Sequence, residues 1–279
     1  MRQIRCDEIS KAIKNTLIKI NHHLDFSLIN LLKKAKSQET NSTALSVLDD
    51  ILENEKIAKQ GIIPLCQDTG VVVVFVTIGQ KVVLDGSLKA AINQGVKAAY
   101  IEGYLRKSIV DHPFNRINTG DNTPAIIHVN LVEGDGLTMH VASKGAGSEN
   151  MSRVVMLTPS DGIEGVKRLV LNTVQEAGGK PCPPIILGIG IGGNLEKSAL
   201  LAKEALLRDL NDQSDDPVIR DLEKDLLDSV NAMGIGPMGL GGKTTCLAVK
   251  INTYPMHIAS LPVAINIQCH SARHEVIVL

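Results

Sequence analysis

The sequence predicts an α+β chain, with a helical N-terminal segment packed on mixed β-sheets and glycine-rich loops between them. Three observations carry this. Apolar residues recur at helical spacing through residues 1–60, β-branched runs begin after Gly70, and helix and strand patterns follow one another without a repeat. A chain of 279 residues can bury a sizeable core, and residues 5–279 are read as one domain.

In the first segment Ile9, Ile13, Leu17 and Ile20, then Leu28, Leu31 and Leu32, then Leu45, Leu48, Ile51 and Leu52 fall three or four apart with Lys and Glu between them. The stretch QETNSTA (38–44) supplies a turn or cap between two of these helices. The runs VVVVFVTIG (71–79) and KVVL (81–84) read as strands, and an amphipathic helix follows over 87–106. Two strands around an EGDG turn are expected within 118–150. Next come a helix (162–179), a buried strand and loop (183–193), a helix (195–208) and a charged surface connection, DLNDQSDD (209–216). A last helix (218–231), a glycine-rich loop (233–245) and strands at 246–251 and 262–267 complete the reading.

Composition excludes several functions. With 29 basic and 30 acidic side chains there is no long-range field to attract nucleic acid or an anionic membrane. Aromatics are 2% of residues and Trp is absent, which removes base-stacking platforms. The longest apolar runs fall far short of the roughly 20 residues of a membrane span, and the N-terminus has no apolar signal core, so a cytoplasmic location is expected. Five cysteines, an odd number, read as thiols or metal ligands rather than a disulfide framework.

Two glycine motifs invite nucleotide readings that do not hold. GIGIGGN places Gly188, Gly190 and Gly193 in the G-x-G-x-x-G pattern, yet no second strand ending in an acidic residue follows at the required distance. GGKTT resembles a P-loop ending at Lys243 and Thr244, but position 237, which must be glycine, is Pro237.

Among the cysteines, Cys6 and Cys246 lie within regular amphipathic patterns, as packed thiols do. Cys66 (PLCQDTG), Cys182 (GKPCPPI) and Cys269 (NIQCHSARH) stand beside residues that break regular structure. Three such thiols suit a shared metal centre, either an iron–sulfur cluster with one iron left open or a zinc site drawing on Cys269, His270 and His274. A buried thiol is the alternative for each.

PLCQDTG, YLRKSIVDHPFNRINTGDNTPA, KGAGSENMS, GKPCPPIILGIGIGGN, GPMGLGGKTT and YPMHIASLPVAINIQCHSARH occur in that order, and with them the chain resembles the α, N-terminal part of class I iron–sulfur fumarases and L(+)-tartrate dehydratases from about residue 5 onward. The resemblance implies a [4Fe–4S] cluster held by Cys66, Cys182 and Cys269, with one iron free of protein ligation. It implies reversible hydration of a small dicarboxylate, fumarate and malate first, with L(+)-tartrate or a methylated dicarboxylate as alternatives. Gln67, Arg106 and His257 match substrate-binding positions, and Gly145 and Gly147 match a loop that offers backbone N–H groups to a carboxylate. Asp68 matches the proton donor to the leaving hydroxyl, against the plainer reading of an Asx turn. The sequence ends at Leu279 with CHSARHEVIVL, and against the single-chain members the resemblance implies a β subunit that supplies further basic residues and the proton-abstracting hydroxyl, in an αβ or (αβ)₂ assembly. A non-catalytic cluster- or zinc-binding protein is the competing class.

Overall fold

A computed structural model describes all residues 1–279. The order of elements is β1 (Arg2–Ile4), α1 (Cys6–His22), α2 (Phe26–Gln38), α3 (Ser42–Ala58), β2 (Val71–Gly79), β3 (Val82–Leu84), α4 (Leu88–Glu102), β4 (Ile126–Val132), β5 (Leu137–Lys144), α5 (Ala146–Glu149), β6 (Arg153–Leu157), α6 (Gly162–Ala177), β7 (Ile185–Gly193), α7 (Leu195–Ala205), α8 (Pro217–Ala232), β8 (Cys246–Met256), β9 (Leu261–Gln268) and β10 (His274–Val278). Helices and mixed sheets make it an α+β fold, as the sequence predicts. The residues form two compact units. Unit 1 contains Met1–Leu24, Glu55–Ala146 and Ala272–Leu279, and unit 2 contains Asp25–Asn54 and Gly147–Ser271.

In unit 1 a four-stranded sheet runs β10-β5-β2-β4, with β2 parallel to β4 and antiparallel to β5. Period-two alternation turns Val72, Val74 and Val76 of β2 and Leu137, Met139 and Val141 of β5 to one face. That face packs on α1 through Ile9, Ile13, Leu17 and Ile20, and on α4 through Ile92, Val96, Ala99 and Tyr100. The two helices approach closely because Ser10 of α1 donates to the Ala91 carbonyl (2.7 Å) and Gly95 leaves no side chain between them. The EGDG turn does not make the expected hairpin. β2 lies between the two strands it joins, pairing Thr77 with both Asn130 and Thr138.

In unit 2 a second four-stranded sheet runs β6-β9-β7-β8, with β7 parallel to β8 and antiparallel to β9. Ile185, Leu187 and Ile189 of β7 join Val249 and Ile251 of β8, Val263 and Ile265 of β9, and the apolar stripes of α6 and α8. The other face of β7 carries Gly188 and Gly190 under α7. A Cβ there would stand 2.3 Å from the Ala202 carbonyl and 2.0 Å from the Ser198 carbonyl. GIGIGGN is thus a strand on which a helix backbone lies directly, and Asn194 caps that helix by accepting the Lys197 N–H (3.0 Å).

Further features correct or extend the sequence reading. β1, β6 and β10 are strands that sequence patterning left out, and β8 runs five residues beyond 251. α4 stops at Glu102, capped by Gly103, so residues 103–106 are not helical. The glycine loop containing GGKTT is tied down by Glu39, which accepts the N–H groups of Thr40 (2.8 Å), Asn41 (2.9 Å) and Lys243 (2.7 Å). The connection 209–216 is only partly a surface run: Asp212 holds Lys250 (2.7 Å) and both ends of the Arg208 fork (2.9 Å each). No helix is long and apolar enough to cross a membrane.

Candidate functional site

In unit 1 the residues of PLCQDTG lead into β2, whose first residue, Val71, pairs with Lys144 at the end of β5. Asp68 makes an Asx turn, its Oδ1 accepting the Gly70 N–H (3.0 Å) while Oδ2 accepts the Ala146 N–H (2.8 Å). Gly70 must be glycine, since its φ is +78° and a Cβ would lie 2.8 Å from the Lys144 backbone. The turn is held from below by buried side chains. Tyr100 donates to the carbonyls of Thr69 (2.6 Å) and Gly70 (3.1 Å), and Asn122 Nδ2 donates to Gly70 (3.1 Å). Burial pushes the Tyr100 phenol up to about 12; the nearby Arg273 charge opposes that rise and the Asp68 charge adds to it.

Gln67 is exposed beside this turn. Arg106 is tied to it by the Thr69 hydroxyl, which donates to the Arg106 carbonyl (2.9 Å), and its guanidinium is exposed. Gly145 is buried at the end of β5 against Asp68, and the N–H of the next residue already belongs to the Asp68 carboxylate. Cys66 is half-buried, and its sulfur accepts the Asp68 N–H (3.4 Å).

In unit 2 the end of β9 pairs with the start of β7, Gln268 opposite Ile186, which sets Cys269 and Cys182 at the same end of the sheet. His270 donates to the Cys182 carbonyl from both its backbone N–H (3.4 Å) and ring Nδ1 (2.9 Å). Cys182 is exposed and sits at φ +57°, a conformation uncommon for a residue with a side chain. Cys269 is half-buried and its sulfur accepts Gln268 Nε2 (3.6 Å). Gly147 lies in the one-turn helix α5, with the Lys180 carbonyl 3.8 Å from where its Cβ would be. His257 is exposed on an open hollow of about 480 Å³ lined by Asn194, Lys197 and Tyr254, and its Nδ1 accepts the Ala259 N–H (3.1 Å).

The remaining cysteines differ in kind. Cys246 is fully buried, donates to the Ala248 carbonyl (3.2 Å), and is pushed up to about 12 by burial. Burial and the neighbouring Asp85 raise Cys6 as well. Cys182 is exposed, and Cys66 and Cys269 are half-buried, as Cys6 is; the Cys66 and Cys269 sulfurs accept N–H groups, as thiolate ligands of an iron–sulfur cluster do. The chemistry of each thiol, taken singly, suits a cluster ligand. Neither unit by itself gathers three or more His, Cys, Asp or Glu side chains into a metal-binding group.

Sequence patterning did not single out Asn21, Tyr100, Asn122 or Arg273, the buried groups beneath the Asp68 turn. Asn122 and Arg273 carried a signal, their places in GDNTPA and CHSARH.

The match to known proteins, rather than the geometry, identifies a hydro-lyase, an enzyme that adds or removes water. The chain belongs to the fumarate hydratase (Fumerase) family, whose model matches residues 10–278. A Methanocaldococcus jannaschii protein provisionally named L(+)-tartrate dehydratase subunit alpha is 46% identical over 255 residues, covering 88% of this chain and 89% of its own length. The L(+)-tartrate dehydratase subunit alpha of Escherichia coli O157:H7 is 30% identical over 276 residues, covering 98% and 91%. Its counterpart in Escherichia coli K12 is 29% identical over the same length.

Proposed function

We propose that this chain is the α subunit of a two-subunit, [4Fe–4S]-dependent hydro-lyase acting on a C4 dicarboxylate, with a β subunit as its partner. The observation that carries the reading is a half-buried carboxylate, Asp68, fixed by two backbone N–H groups two residues after a thiol, in a chain of this family. The names of the relatives favour L(+)-tartrate, which loses water to give oxaloacetate, as the first substrate to assay. Fumarate and malate are the second reading, supported by the family's own description.

Cys66, Cys182 and Cys269 would hold the cluster, which when bound supplies Lewis acidity at the substrate's C–O bond. Gln67, the Arg106 fork and the His257 ring bind the substrate's carboxylates, with backbone N–H groups at Gly145 and Gly147 beside them. Asp68 gives a proton to the departing hydroxyl, and its fixed turn keeps the carboxyl from swinging away. The β subunit supplies the group that takes the carbon-bound proton.

Anaerobic co-expression with the partner subunit, followed by assays on L(+)-tartrate, malate and fumarate, tests this. L(+)-tartrate should turn over fastest. Asp68→Asn should keep the cluster's visible spectrum and lose at least about 100-fold in kcat. An active Asp68→Asn enzyme would remove Asp68 from the mechanism, and a zinc-containing protein with a featureless visible spectrum would sink the cluster.

A further inference from the structure

Arg273 is 3% exposed, a cation held in the interior of unit 1. Its Nη1 donates to Asn21 Oδ1 (3.0 Å) on α1, and Asn21 is itself fully buried, with Nδ2 on the Leu17 carbonyl (2.8 Å) and Ser143 Oγ (3.2 Å). Nε is buried with no hydrogen-bond partner, and Arg273 forms no ion pair; its side-chain partner is the neutral Asn21 amide. A buried cation without a counter-ion is costly, and chains retain one where its charge is used. Nη2 and Asp68 Oδ2 flank one point: a Cβ at Gly145 would stand 3.5 Å from the first and 3.2 Å from the second. Gly145 is the thin wall between cation and carboxylate.

We propose that Arg273 is the positioning residue of Asp68, its buried guanidinium acting across Gly145 to hold the carboxylate in its productive place. The inference rests on the reading of Asp68 given above. Asn21 locks the guanidinium, the bond from the Ser143 N–H to the Arg273 carbonyl (2.9 Å) locks its backbone, and glycine at 145 keeps a methyl group out of the gap. Arg273 touches no substrate; it acts through Asp68.

The test is a double-mutant cycle in the assembled, cluster-loaded enzyme with its partner subunit, since residues that act as a unit are non-additive. Arg273→Gln, which keeps a donor for Asn21 but no charge, should lower kcat about 10- to 100-fold and change KM by less than about threefold. Arg273→Lys should restore kcat to within about fivefold of wild type. Adding Arg273→Gln to Asp68→Asn should cost no more than about twofold beyond Asp68→Asn alone. Melting temperatures of the same four proteins give the cycle where turnover is too slow to measure: the double variant should lose less than the sum of the two single losses. If Arg273→Gln does not assemble, Asn21→Ala, which frees the guanidinium, takes its place in the cycle. Additive losses with an inactive Asp68→Asn enzyme, wild-type kcat in Arg273→Gln, or equal losses in the Lys and Gln variants would overturn the role of Arg273 alone. A fully active Asp68→Asn enzyme would overturn the reading of Asp68 and this inference with it.

Discussion

The two four-stranded sheets have the same pattern of directions and are built by opposite means. In each, a central strand (β2 or β7) runs parallel to a later strand reached through a helical connection (β4 or β8) and antiparallel to the strand after that (β5 or β9), and an antiparallel edge strand completes the sheet. β2 fills the space beneath α1 and α4 with valine side chains, whereas β7 empties it with alternate glycines so that α7 lies on the strand itself. The chemistry-bearing residues nonetheless fall at the corresponding corner. Cys66 and Asp68 precede β2 and Gly145 follows β5; Cys182 precedes β7 and Cys269 follows β9. A shared sheet pattern thus fixes where the candidate residues emerge, and packing style is free to vary.

The sharpest way to break this contrast is to exchange the packing styles. Gly190→Ala should destabilise unit 2 by roughly 3 kcal/mol, because a methyl 2.0 Å from the Ser198 carbonyl forces the helix off the strand. Val74→Ala, a buried truncation on the other sheet, should cost roughly 2 kcal/mol by leaving a small cavity. Thermal or denaturant melts read both, and a tolerated Gly190→Ala would refute direct helix-on-strand contact.

The units also differ in how they treat buried charge: Arg273 in unit 1 has no ion pair, whereas Lys250 in unit 2 is paired with Asp212. Asp212→Asn should therefore destabilise by about 2 kcal/mol, discounted because Asp212 is partly exposed. Chemical denaturation with unchanged stability would show the network to be idle.

The smallest effect concerns pH. Burial raises the Glu39 carboxyl, but N–H groups from Asn41, Lys243 and Thr40 outweigh it and hold the group below its usual range. A lowered folded-state value contributes stability above the ordinary carboxylate range that is lost as pH falls through the folded value. Glu39→Gln should cost about 1 kcal/mol near neutrality and flatten the acid limb of stability against pH, as melts between neutral and acid pH would show.

Long periodic elements were legible in the sequence. Ile9, Ile13, Leu17 and Ile20 fall on one buried stripe, and the strand runs at 71–79 and 183–193 hold because alternation and β-branching act locally. Strand order was not legible, since β2 enters between β4 and β5 by a choice made in tertiary packing. β1 and β10 escaped because three- and five-residue strands exist only through their partners. The candidate residues were visible as motifs, while the buried Asn21 and Tyr100 beneath Asp68 look in sequence like ordinary helix residues.

Iron, sulfide and zinc content of the anaerobically purified chain, measured in five cysteine variants, tests the proposal that Cys66, Cys182 and Cys269 are the cluster's ligands. The account predicts iron, sulfide and visible absorption that survive Cys6→Ser and Cys246→Ala and are lost or weakened in Cys66→Ser, Cys182→Ser and Cys269→Ser. Zinc in place of iron, or a cluster indifferent to Cys66→Ser, would contradict it.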